Sequence, residues 1–321
     1  MKPLILITND DGITAKGIAT LVEAMRSIGT IVVVAPDSPN SGMGHAITMD
    51  TTIQIKKSSI FDGIESYECS GTPADCVKLA KHELFADRKI DLVVSGINHG
   101  SNSSLSVIYS GTMSAAIEAA IEGIPAIGFS LDNGHYDADF SHTIPFIHTL
   151  VQKVLTEGIT PHTALNVNFP KKKEGEEIKG IKVCRQANGY WKESFDARQD
   201  PYGRPYFWMG GSFVNREPVD ATDHDVWALA NGYVSVVPCQ YDLTSYKALE
   251  KLTKWNLMAT RSMWWIIKPV IQTTPKPSSS PRSPASPWTC STQPIPTTTK
   301  WPSSACWWQK TLPVWPMSSR A

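Results

Sequence analysis

Short apolar runs alternate along the chain with stretches of helical period. Leu4 to Ile7 (LILI) is a continuous apolar run with β-branched residues, the pattern of a strand buried on both faces of a parallel sheet. GIATLVEAMRSIG then places Ile18, Leu21, Val22 and Met25 at helical spacing and closes on Gly29, where a C-terminal cap is expected. TIVVVAP is a second buried strand. Strand, helix and strand in this order make a right-handed βαβ unit of a parallel sheet. SGTPADCVKLAKHELF predicts a helix with Thr72 as N-cap, Pro73 at its first position and Asp75 three residues after the cap, a capping role for that carboxylate. DLVVSG, from Asp91 to Gly96, is a third buried strand, followed by the Ser-, Gly- and Asn-rich loop INHGSNSSLSVIYSGT. The helix MSAAIEAAIEG, the strand PAIGFS, the amphipathic helix HTIPFIHTLVQKVLTEG and the strand TALNVNFP complete the series. This alternation predicts a doubly wound, Rossmann-like α/β fold with a mostly parallel sheet, and leaves the strand order open.

The texture changes from about Lys171. GYWKESFDARQDPYGRPYFWMGG has aromatic, strand-prone pieces around a Pro-Tyr-Gly turn, which predicts a β-hairpin extension within residues 180–240 that projects from the main sheet and suits an oligomer contact. A short helix from about Thr222 to Gly232 and a return strand, YVSVVPC, follow. Residues 258–321 contain no Asp, Glu, Gly, Asn, His, Tyr or Phe, yet hold seven of the eleven Trp and eleven of the 23 Pro. Such a mixture has no helical or strand period and too many breaks to build a core. The expected organisation is an α/β domain over residues 1–257 and a tail outside the fold, either disordered or the product of a shifted reading frame.

Charge and composition narrow the partners. Lys plus Arg equals Asp plus Glu, 30 of each, so no net field draws the chain to a nucleic-acid polymer or an anionic membrane, and a small molecule is the expected ligand. No apolar run approaches the roughly 18 residues of a membrane span, and the chain opens on a strand, not a signal peptide, so a cytoplasmic protein is expected. Cys69, Cys76, Cys184, Cys239, Cys290 and Cys306 lie far apart, which predicts neither a zinc site nor a disulfide framework but small, mostly buried side chains.

The chemistry gathers where strands end. Asp10 and Asp11 follow the first strand, Ser41 the second and Asn98 the third, all at the carboxyl edge of a parallel sheet, where ligands bind in such folds. Two readings compete for each residue: an ordinary turn position, or a ligand. Taken together, two carboxylates, a hydroxyl and an amide carbonyl form an all-oxygen set suited to one hard divalent cation, Mg²⁺ or Mn²⁺. Ser110, Gly111 and Thr112 begin the helix after YSGT, so they serve as an N-cap or as an anion cradle of backbone N–H groups and hydroxyls. Beside a cation site, phosphate is the economical anion.

NDDG, APDSPNSG, SGTPADC, SGINHGSN and YSGT resemble, in order and spacing, the SurE family of metal-dependent nucleoside monophosphate phosphatases, and the likeness continues through DPYGRPYFW and GYVSVVP to about Leu257. The resemblance implies metal ligation by Asp10, Asp11, Ser41 and Asn98, with Asn102, Ser110, Gly111 and Thr112 around the phosphate. It further implies a 5'-nucleotidase, with 3'-nucleotides as additional substrates, and a homodimer or homotetramer in which the hairpin passes between subunits. The tail has no counterpart in the family.

These features together predict that the cation polarises a phosphoryl oxygen and activates water while the N–H groups near Ser110 to Thr112 hold the other oxygens. Asp10 and Asp11 are the catalytic candidates, and either is placed to take a proton from the water, but a metal-bound carboxylate is a weak base, so the general base stays open; His45 and His99 are candidates for protonating the leaving alkoxide. No Walker lysine and no nucleophile elbow occur. A short-chain polyphosphate phosphatase and a non-catalytic nucleotide- or metal-binding module are the alternative functions.

Overall fold

The computed structural model describes residues 2–172 and 175–255. The tail 258–321 lies outside the described residues. Leu4–Thr8 (β1), Thr30–Pro36 (β2), Ile55–Ser58 (β3), Glu65–Cys69 (β4), Leu92–His99 (β5), Ala126–Leu131 (β6), Thr163–Phe169 (β7), Ile181–Val183 (β8) and Val234–Gln240 (β11) form one sheet, ordered β3-β4-β2-β1-β5-β6-β7-β11-β8. From β4 to β7 all neighbours run parallel; β3 joins antiparallel at one edge and β11 antiparallel to β7 at the other. Among the described residues, Gly189–Gln199 (β9) and Pro205–Asn215 (β10) pair only with each other.

Successive side chains of a strand point to opposite faces, and here both faces are apolar. Ile5 and Ile7 of β1 pack with Val33, Val94, Phe129 and Val167 against Ile18, Leu21, Val22 and Met25 of helix α1 (Lys16–Met25). The same core receives Ile147, Val151 and Val154 of α5 (Ile144–Glu157). Leu4 and Leu6 face the other way, onto Cys76 and Val77 of α2 (Pro73–Leu79) and the alanines of α4 (Gly111–Ile121). Each fully buried Leu, Ile or Val stabilises the fold by roughly 1.5–3 kcal/mol, so the alternation fixes strand and helix positions together. Small residues let α4 sit close: Gly128 of β6 has no room for a Cβ, which would lie 2.4 Å from Met113 Sδ.

Several elements depart from the periodicity. Gly29 does follow α1, but its backbone is not left-handed; it is glycine because a Cβ there would meet Pro3 O at 2.6 Å. β3 and β4 carry no continuous apolar signal, because β3 is a largely exposed edge strand with both lysines of IKKS on the surface. The predicted loop after β5 contains a one-turn helix, α3 (Ser106–Tyr109), and the helix expected from Thr222 begins only at Asp225 (α6, Asp225–Ala230), capped by His224. A final helix, α7 (Tyr246–Leu252), contributes no buried residue. Cys69, Cys76, Cys184 and Cys239 are free, and the first three are buried, as small apolar residues would be. No helix among the described residues is long and apolar enough to cross a membrane.

Candidate active site

From β1 the chain moves outward to β2 on one side, and β5 later lies against the opposite side of β1, so the crevice between β1 and β5 is the topological switch point of the sheet. Asp10 and Asp11 emerge there from β1. Asn98 and His99 emerge from β5, lifted by a bulge: the register with β6 slips between Ser95 and Asn98. Gly96 makes the bulge possible, with φ of 126° and Phe129 O only 2.3 Å from where a Cβ would stand.

Asp10 is 3 % exposed and faces the first turn of α4. Thr112 Oγ1 donates to Asp10 Oδ1 at 2.5 Å, and a Cβ on Gly111 would stand 2.6 Å from Asp10 Cβ and 2.9 Å from Oδ2. Burial, with the neighbouring Asp11 charge and against the Thr112 hydroxyl, pushes the Asp10 carboxyl up to about 6. Among the described residues no Lys or Arg lies within 4.0 Å of either carboxylate; the one ion-pairing contact is His99 Nδ1 with Asp11 Oδ2 at 3.0 Å. The loop after β2 is fastened to the pair by Asn40 N–H, which donates to Asp10 O at 2.7 Å, and the next residue is the exposed Ser41. Asn98 uses its amide N–H on Gly100 O at 2.8 Å, leaving its carbonyl oxygen as the donor atom it can offer a cation.

These residues fit a hard cation by their chemistry. Two adjacent carboxylates, one of them buried, without a Lys or Arg to balance both charges are stabilised by a divalent ion, and a serine hydroxyl and an asparagine carbonyl are oxygens of the kind such an ion takes. No group of three or more His, Cys, Asp or Glu able to hold a metal occurs among the described residues, so the set is one of oxygens that only two carboxylates anchor.

The anion-facing residues divide by role. Ser110 Oγ accepts from Met113 N–H at 3.0 Å and is the N-cap of α4. The Thr112 hydroxyl and backbone N–H both face the Asp10 carboxylate, so what this helix start offers an anion is the N–H of Gly111. Asn102 hangs from the neighbouring strands: its N–H donates to Asn168 Oδ1 at 2.7 Å, its side chain to Ser130 Oγ at 2.8 Å, and its carbonyl accepts from Asn166 at 2.8 Å. Asn166 and Asn168 lie outside every motif named above; two asparagines at i and i+2 in the mostly apolar strand TALNVNF are their signal, since they share one face of a buried strand. Asp225, buried in α6, accepts from the N–H groups of Ser104, Ala187 and Val226 and so ties the same loop to the hairpin base.

His45 pairs with α4, and Asp75 caps α2. His45 Nε2 lies 2.9 Å from Glu118 Oε2 on the flank of α4; despite burial, His45 and Lys78 together hold the Glu118 carboxyl below its usual range. Asp75 completes the predicted capping box with Thr72 and also accepts from Thr48. A cavity of about 870 Å³ runs along α4 from Ser110 past Ser114 and Ile117 to Val237 and Tyr241, and Asp10 and Asp11 do not line it.

Fold and site define an α/β protein whose acidic strand end, suited to a divalent cation, faces a helix N-terminus suited to an anion. The family model of the survival protein SurE matches residues 5–193. The 5'-nucleotidase SurE of Cytophaga hutchinsonii is 62% identical over 258 residues, covering 80% of this chain and 98% of that protein. Its counterpart in Christiangramia forsetii is 58% identical over the same shares. The crystal structure of SurE from Aquifex aeolicus aligns with a TM-score of 0.67 and 42% identity, over 78% of this chain and 99% of that one. The chain belongs to the SurE family.

Proposed function

We propose that this protein is a 5'-nucleotidase, a phosphomonoesterase that releases phosphate from nucleoside monophosphates at the β1/β5 crevice. The observation that carries the reading is Asp10 pressed against the first turn of α4, with Asp11 beside it in sequence and held by His99 of β5. The relatives named 5'-nucleotidase SurE supply the substrate class. Asp10, Asp11, Ser41 and Asn98 hold one Mg²⁺ or Mn²⁺. The bound cation supplies Lewis-acid polarisation of a phosphoryl oxygen and a more acidic water.

The protein's own groups do the rest. Gly111 directs its N–H at a phosphoryl oxygen, where the fixed helix end, begun by Ser110 and Thr112, favours negative charge without reorganising. Thr112 holds Asp10 by its hydroxyl, which keeps the carboxylate aimed while burial disfavours its charge. Asn102, fixed by Ser130, Asn166 and Asn168, closes the phosphate side of the crevice. Assembly into a homodimer or homotetramer belongs to the same reading. It is supported by the unpaired β9–β10 hairpin, the exposed α7 and the cavity along α4, surfaces that a second copy can cover.

A substrate panel with metal-stripped protein tests the proposal. Nucleoside 5'- and 3'-monophosphates, short polyphosphate and a generic phosphate ester are each assayed with Mg²⁺, with Mn²⁺ and with chelator. Metal-dependent release of phosphate from 5'-monophosphates is expected, and its absence from the Asp11→Asn variant. Turnover of polyphosphate alone would replace the substrate class, and no turnover of any ester would leave a binding module.

A further inference from the structure

His99 adjoins the candidate ligand Asn98 on the β5 bulge, and its imidazole lies on Asp11 rather than on any anion-facing group. Nδ1 is 3.0 Å from Asp11 Oδ2, and the His99 backbone N–H reaches the same oxygen at 3.3 Å. An ionised carboxylate only accepts, so Nδ1 carries the hydrogen and the tautomer is set. The ring plane is held from the far side by Phe140, edge-on with centroids 4.9 Å apart and an interplanar angle of 83°. Phe140 is itself buried, at the end of a loop that Lys16 Nζ grips through Ala138 O at 2.7 Å. Nε2 is buried and has no hydrogen-bonding partner among the described residues. Leaving that nitrogen unpaired is unfavourable, and any flat apolar ring would serve the packing against Phe140. What the arrangement secures is the orientation of Asp11.

We infer that His99 is a positioning residue for Asp11: two N–H donors hold Oδ2, so that Oδ1 is the oxygen offered to the divalent cation. Partners that hydrogen-bond a ligating carboxylate orient it and tune its basicity, and their loss weakens metal binding by about 10–100-fold. The inference rests on the proposed cation site, and its test separates the two.

Mn²⁺ alone is titrated into the metal-stripped full chain and free Mn²⁺ is followed by its electron paramagnetic resonance signal, for the parent and for His99→Ala, His99→Asn, His99→Gln and Asp11→Asn. The amide N–H₂ of Asn can stand near the lost Nδ1 position, whereas that of Gln reaches beyond it. The expected result is binding weakened about tenfold or more in His99→Ala and His99→Gln, and recovered to within about threefold of the parent in His99→Asn. Circular dichroism of each variant checks folding, and the Asn/Gln contrast decides if His99→Ala does not fold. Parent-like binding by His99→Ala or His99→Gln, or equal weakening in Asn and Gln, overturns the positioning role. No Mn²⁺ binding by the parent, or undiminished binding by Asp11→Asn, overturns the cation site itself.

Discussion

Asp10 shows how a site residue works against its own fold. Its carboxyl rises from 3.8 to about 6 because burial outweighs the Thr112 hydrogen bond. A folded state that holds the proton more tightly than the unfolded chain is most stable below the unfolded value, and loses that advantage as pH rises through about 6. At neutral pH the ionised Asp10 therefore destabilises the metal-free protein, by a ceiling of about 3 kcal/mol at 1.36 per unit. Asp10→Asn is expected to raise the urea midpoint of the chelator-treated protein at about pH 7.5, with the gain vanishing near pH 4, while removing metal-dependent phosphatase activity. A parent-like rate in this variant would remove Asp10 from the site. Gly111→Ala tests the same contact from the helix side. Its Cβ would stand 2.6 Å from Asp10 Cβ, so the helix start and the carboxylate must part. A displacement of about 1 Å at a site can cost about 100-fold in rate. A fall of that order in kcat is expected with little change in melting temperature, and an unchanged rate would show that the contact relaxes harmlessly.

At the scale of elements, the β9–β10 hairpin stands apart. It pairs with no strand of the main sheet, and Phe195, Phe207 and Met209, which share one face, are 64%, 61% and 73% exposed. Its turn is well made: Asp200 Oδ1 accepts from the N–H groups of Tyr202 and Arg204, and its base is pinned where Arg185 pairs with Glu217 and Asp223. A rigid arm with an apolar face is suited to another copy of the chain. The double variant Phe195→Ser/Phe207→Ser touches no core residue, so light scattering should report a smaller particle with an unchanged far-ultraviolet spectrum. An unchanged mass would move the subunit contact to another surface. The β5 bulge is the complementary case. It was legible only as a strand that stops at Gly96, because SGINHG has no apolar run beyond Ile97, yet the strand continues to His99 and delivers Asn98 and His99 to the crevice.

For the whole molecule, the described fold ends as one unit at Trp255, and the relatives account for 258 residues of this chain. A chain ending at Leu257 is expected to keep its melting temperature, particle mass and nucleotidase rate, and loss of any of them would make residues 258–321 part of the working protein. Sequencing the gene across Leu257 tests the shifted frame separately. Within the fold, the amino-acid sequence alone determined the buried strands, the amphipathic helices and the capping box at Thr72. Each of these is a local pattern of side chains along one element, with period 2, period 3.6 or a fixed cap spacing. It also determined that Asp10, Asp11 and Asn98 lie at the ends of their strands and Ser41 in the loop that follows the second. Only the tertiary structure decided which strands are neighbours, and hence that the ends of β1 and β5 share a crevice. Pairing is set by contacts between residues some 90 positions apart, such as Ile5 with Leu92, which no local period encodes. The same holds for the partners of each polar group. Thr112 read as an anion ligand and as a cap from its place in YSGT, but its hydroxyl meets Asp10 from 102 residues away. His99 read as a loop histidine and meets Asp11 across 88. A hydrogen bond between distant segments is chosen by the packing of the elements that carry them, and that packing exists only once the sheet has formed.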